Sequence, residues 1–261
     1  MKRKKRDTRK KKNTTLLTIV IIIAILICSG VLGYCIYNVV IVKNDMDAVI
    51  AVQEDTKMKD DSSNDDIWGY MNEFNLMKGR NDDFMGWIRF DSNLINLPFM
   101  YSGDDLYLRS NFEKQYSSSG TVYMDGDQSL DNKNITLYGH YVYANEHAMF
   151  TPLDKLRYEE NYEENKIFRL YLENEIRTYA VAAVVEYNTK DKWNFDAGSY
   201  SKKSFDDFLQ YGNTHKLYPT SEIMDAASNY VTLQTCIRGT DTRRTIVIGK
   251  EKERNVRDTK R

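Results

Sequence analysis

Only three cysteines, three histidines and three prolines occur in 261 residues, and these shortages exclude several kinds of chemistry at once. His140, His147 and His215 show neither an HExxH spacing nor closely spaced cysteine partners, so no zinc site, or other metal site, is expected. The acid-rich run from Asp60 to Asp66 lacks the spaced ligands of an EF-hand and reads as solvated chain. No cofactor is expected either. Cys28 and Cys35 fall inside a long apolar segment, which leaves Cys236 without a disulfide partner in the rest of the chain. A disulfide scaffold is therefore excluded, and a lone thiol in an oxidising exterior is a candidate nucleophile.

Acidic residues are scarce at the start of the chain. Lys2 to Lys12 holds nine Lys or Arg and one acid, Asp7; removing these from 37 basic and 38 acidic residues leaves 28 against 37. A remainder so acidic argues against nucleic acid as a partner. From Leu16 to Val42 no charged residue interrupts the apolar run, which exceeds the roughly 20 helical residues that cross a bilayer. Its length also exceeds that of a cleavable signal peptide's apolar core. Basic residues before the span are expected on the cytoplasmic side by the positive-inside rule, with everything after it outside the cell membrane. The expected organisation is a cytoplasmic basic segment (1–13), a transmembrane signal anchor (14–42), an extracellular stalk (43–66), a catalytic domain (67–250) and a charged, frayed tail (251–261).

Helical spacing of Ile67, Trp68, Met71, Phe74 and Met77 or Leu76 predicts a short amphipathic helix packed on the domain. After Gly79 the pattern becomes short β-rich runs between polar turns: Gly86 to Phe90, Leu94 to Met100, Gly120 to Met124, Asn134 to His140, Lys166 to Leu172, Ile176 to Tyr187, Tyr230 to Cys236 and Arg244 to Gly249. Eight such runs predict a mainly β barrel or sandwich. Two helical insertions are expected, at His147 to Leu156 and Ser201 to Tyr211. In the second, Ser201 or Ser204 would cap, and Phe205, Phe208 and Leu209 would form the apolar stripe.

Cysteine attacks as the thiolate, and its ordinary pKa of about 8.5 leaves few ionised at neutral pH, so a neighbour must assist. His140 ends one apolar strand (Ile135-Thr-Leu-Tyr-Gly-His140) as Cys236 ends another (Val231-Thr-Leu-Gln-Thr-Cys236), so both can meet at one sheet edge. His147 and His215 lie in a helix start and a polar loop. Arg238, Arg243 and Arg244 follow the cysteine closely and could stabilise an oxyanion. Alternation places Arg243 and Arg244 on opposite faces without saying which face is used.

Thr232-Leu-Gln-Thr-Cys236, followed by Arg244 at the head of a strand, resembles the TLxTC signature of sortases, and Leu137-Tyr-Gly-His140 resembles their histidine motif. Further similarity lies in Gly86-Trp-Ile, the Leu94 to Pro98 strand, Tyr107-Leu108, Gly120-Thr-Val-Tyr-Met-Asp125, and Met149-Phe150 with Leu153. It runs from about Trp68 to Lys250. The helix within Ser201 to Tyr211 and the N-terminal helical extension are similar to class B. The resemblance implies an eight-stranded sortase-like β-barrel with N-terminal helices and a helix in the loop before the late strands, in a cysteine transpeptidase of Gram-positive bacteria. It implies that Cys236 attacks the backbone carbonyl of a threonine in a sorting motif of a secreted protein to form a thioester. His140 would serve the leaving and incoming amines, the latter from a peptidoglycan precursor. Arg244, matched better than Arg243 by the Ile-Val-Ile-Gly-Lys that follows, would steady the oxyanion. Thr235 would contribute backbone to the oxyanion hole, and Tyr138 and Leu108 would line the groove.

Three other readings compete. Cys236-Ile-Arg238 is similar to the end of the L,D-transpeptidase signature, but no histidine lies between His215 and Cys236. A papain-like protease has the opposite order of cysteine and histidine. A non-catalytic, membrane-tethered β binding domain would simply bury Cys236.

Overall fold

The computed structural model describes residues 2–59, 67–191, 202–240 and 242–258 and divides into two compact units, 1–47 and 48–261. The first unit is helical. Helix α1 (Lys2–Thr56) carries Ile19–Val40, 22 residues of mean hydropathy 2.9 whose side chains are all exposed. At 1.5 Å per residue this is about 33 Å of apolar helix, long enough to cross a hydrocarbon core.

The second unit is built on eight strands: β1 (Phe84–Phe90), β2 (Asn96–Met100), β3 (Val122–Met124), β4 (Asn134–Tyr138), β5 (Ile167–Leu172), β6 (Glu175–Asn188), β7 (Tyr230–Cys236) and β8 (Arg243–Val256). They close into a barrel in the order β1-β2-β3-β4-β7-β8-β6-β5, antiparallel except for the parallel pairs β2–β3 and β4–β7. All eight expected strands are present. Alternation sends one face inward, where Ile88, Phe90, Leu97, Phe99, Ile135, Leu137, Val184, Leu233 and Val247 fill the interior.

The outer face is covered in two places. Helix α2 (Met71–Arg80) lays Met71, Phe74 and Met77 against Phe84, Trp87, Met100 and Phe112, while Leu76 points to solvent. Helix α3 (Lys202–His215) buries Phe205, Phe208 and Leu209 against Tyr230, Ile246 and Ile248 on the outer face of β7 and β8. Ser204 lies within this helix and is no cap, and Ser201 lies outside the described residues. The expected insertion at His147 is displaced: His147 sits in an exposed turn, and the helix that follows is a 3₁₀ segment, Thr151–Arg157.

Two expectations fail for reasons the structure supplies. Glu251 onward is not frayed, because β8 runs to Val256 and pairs with Glu175–Tyr179 of β6. Main-chain bonds hold it there, with Arg254 bonded to Glu251 and facing Glu175. Nor is all of 43–66 a solvated stalk. Val49, Thr56 and Met58 are buried; the Thr56 carbonyl accepts the Trp87 Nε1–H at 2.9 Å, and Asn96 brackets Met58 with two hydrogen bonds. Residues 60–66 lie outside the described set.

Candidate active site

Registers of the three central strands decide which side chains share a face. Parallel pairing aligns Tyr138 with Gln234, and two residues further along each chain stand His140 and Cys236. On the other side of β7, Cys236 is the direct antiparallel partner of Arg244. Cross-strand partners project to the same side, so Cys236 and Arg244 share one outer face, and His140 stands just past the end of β4, the strand that pairs with β7. That face is covered by α3 as far as Ile246. Beyond it Gln234, Cys236 and Arg244 are half-buried at the barrel end.

Arg243 is turned the other way, as alternation requires. Its guanidinium pairs with Glu186 of β6, which also accepts from Arg157 Nη2 at 2.9 Å. Arg238 is exposed beyond the strand end, in the loop between β7 and β8. That loop is closed by Ile237 N–H donating to Arg243 O at 3.0 Å. Of the three arginines, only Arg244 stands opposite the cysteine in register.

His140 is held by its main chain and by its ring. Gly139 N–H donates to Gln234 O (3.1 Å) and Phe150 N–H to His140 O (3.2 Å). Gly139 must lack a side chain, since a Cβ there would lie 2.5 Å from the Phe150 ring. The ring Nε2 is 2.9 Å from Leu108 O. A carbonyl can only accept, so Nε2 carries the hydrogen and Nδ1 keeps the lone pair in the neutral ring. Burial pushes the His140 pKa below the ordinary value, outweighing the Leu108 bond that raises it, and Arg109 nearby lowers it further. This direction favours the neutral imidazole.

Leu108 ends a 3₁₀ turn, Leu106–Leu108, and its side chain is partly exposed. Sequence reasoning placed it in the groove by resemblance but missed its carbonyl. The signal was Gly120: at φ +58 a Cβ there would sit 2.7 Å from Leu108 O and 2.4 Å from Tyr107 O. Tyr138 donates its hydroxyl to Asp125 Oδ2 at 2.9 Å and, with Tyr123, Asp104, Asp105 and Asp127, lines a cleft of about 330 Å³. Thr235 is buried and faces away from the groove, so anything it contributes there comes through its backbone. His147 is exposed, and His215 ends α3 with its ring stacked on Tyr211. Neither approaches the groove through any strand pairing. Among the described residues no cluster of His, Cys, Asp or Glu could hold a metal ion.

No family model matches the chain. Sortase B of Staphylococcus aureus is 26% identical over 184 residues, 68% of this chain and 74% of that protein. Sortase B of Listeria monocytogenes is 25% identical over 161 residues, 60% of this chain and 63% of that protein. The crystal structure of Clostridium perfringens sortase B superposes with a TM-score of 0.64 at 28% identity, covering 69% of this chain and all of that one. In sequence and in fold the chain is similar to class B sortases. By this likeness it is a cysteine transpeptidase. A non-catalytic binding domain and an L,D-transpeptidase are both set aside by this kinship.

Proposed function

We propose that the chain is a class B sortase held in the cell membrane by its N-terminal apolar helix, N-terminus inside and barrel outside. There it cleaves a C-terminal sorting motif of secreted proteins after Thr and passes the acyl group to a peptidoglycan amine. The observation that carries the reading is the register that sets Cys236 opposite Arg244 on one outer face, with His140 just past the end of the neighbouring strand β4. The Cys236 thiolate attacks the threonine carbonyl carbon, and the oxyanion collapses to a thioester as the amide nitrogen leaves. The leaving amine takes a proton from the imidazolium formed when the thiol ionises, and the neutral ring then accepts one from the incoming amine. Arg244 stands on the same face as the thiol and steadies the oxyanion. Tyr138 and Leu108 flank the motif, and Thr235 lends backbone to the oxyanion site.

Intact mass measurement after exposure to a thiol-reactive sorting-peptide analogue tests the reading. One adduct on the wild-type barrel and none on Cys236→Ala is expected. Equal turnover of sorting peptides by Cys236→Ala overturns it.

A further inference from the structure

The loop after His140 is anchored by a residue that lies far away in sequence and nearer the membrane segment. Gln53, in the last turn of α1, uses both ends of its side-chain amide: Nε2 donates to His147 O at 2.9 Å, and Oε1 accepts the Met149 N–H at 3.1 Å. Met149 has φ +49, a left-handed conformation that a side chain of its size rarely adopts, and it is buried. The next residue, Phe150, donates its N–H to His140 O and presses its ring on Gly139. Tyr141 and Met149 form an isolated bridge that closes the loop. The same loop reaches the nucleophile's side, where Gly239 N–H, between Cys236 and Arg244, donates to Tyr143 Oη at 3.0 Å.

We propose that Gln53 is a positioning residue for the transpeptidation reaction: its bidentate clamp fixes the Met149 turn, which sets Phe150, and through it Gly139 and His140 beside Cys236. The amide of Gln suits this place because the loop offers one carbonyl and one N–H, and only a side chain with one donor and one acceptor satisfies both. The inference rests on the reading that His140 exchanges protons at the Cys236 acyl intermediate. It makes the end of α1 a working part of the catalytic unit.

The test uses full-length protein in detergent with Gln53→Leu, which keeps the packing volume and removes both hydrogen bonds, and with Gln53→Glu, which keeps the acceptor alone. A misplacement of about 1 Å can cost on the order of 10²-fold in rate, so the smaller shift on loosening one clamp in Gln53→Leu is expected to lower kcat about tenfold with KM within a factor of two. Gln53→Glu should fall between it and the wild type. The His140 ring signal, assigned against His140→Gln, should titrate nearer the ordinary histidine value as the ring becomes better solvated, and amides of 141–149 should exchange faster. These two readouts need no turnover, so failure to find any sorting-peptide activity would count against the functional reading and leave this one testable. Unchanged kcat together with an unmoved His140 titration and unchanged loop exchange in Gln53→Leu overturns the proposal. A loss of melting temperature alone overturns it as well.

Discussion

Arg243 and Arg244 are neighbours in sequence and opposites in space. Arg244 stands across from Cys236, whereas Arg243 is committed to Glu186, a carboxylate that is itself largely buried. Arg244→Ala is therefore expected to lower kcat/KM about 10²- to 10³-fold, the usual cost of an oxyanion donor. Arg243→Ala should leave turnover near wild type and cost about 1 kcal/mol or less in urea unfolding, because its side chain is half exposed and Arg157 still serves Glu186. Comparable losses of kcat/KM in both variants would refute the division of labour. At His140 the sign of pH dependence follows from a lowered pKa. The unfolded chain binds the proton more readily, so this residue's stabilising contribution is complete above about pH 6.5 and falls away as the pH drops. Melting temperatures measured from pH 7.5 to 5 should fall less steeply in His140→Gln than in the wild type, and parallel curves would contradict the assignment. The two arginines also mark where sequence reasoning ended: alternation separated them, but only the register with β6 and β7 showed which face each occupies.

At the scale of elements, legibility tracked side-chain pattern. Strands such as Val231-Thr-Leu-Gln-Thr-Cys236 betray themselves by apolar alternation, and α3 by Phe205, Phe208 and Leu209. The far end of β8, Glu251-Lys-Glu-Arg254, has no such pattern; it is held by main-chain pairing to β6 and by charged side chains, which a polar tail would equally contain. Ending the chain after Lys250 should destabilise the barrel by about 3 kcal/mol, a few net hydrogen bonds' worth, read from chemical denaturation. An unchanged midpoint would return the segment to the status of a tail. Residues 48–58 were hidden for the same reason, since the Thr56 carbonyl and the Gln53 amide act through polar atoms. A chain beginning at Ala48 should keep the wild-type barrel's melting temperature, and one beginning at Ile67 should lose several degrees as Trp87 loses its acceptor and Met58 its pocket. Equal melting temperatures would show that the docking contributes nothing. The Leu108 carbonyl was equally invisible, being main chain, though Gly120 marks the close approach.

For the molecule as a whole, the described strands close into a barrel in which each pairs on both sides, and Cys236 stands on the outer face beyond the part that α3 covers. The parallel pairing of β4 with β7 carries one more consequence. Asn134 and Thr232, which share a buried side-chain hydrogen bond across that pair, are 98 residues apart, and β5, β6 and α3 lie between them in the chain. Closing so long a loop is slow, and most of the intervening elements have no reason to wait for it. The strands that carry histidine and thiol therefore come together only when this non-local seam forms. A chain still emerging, or partly unfolded, carries an ordinary cysteine, so acyl-transfer competence doubles as a report that folding is complete.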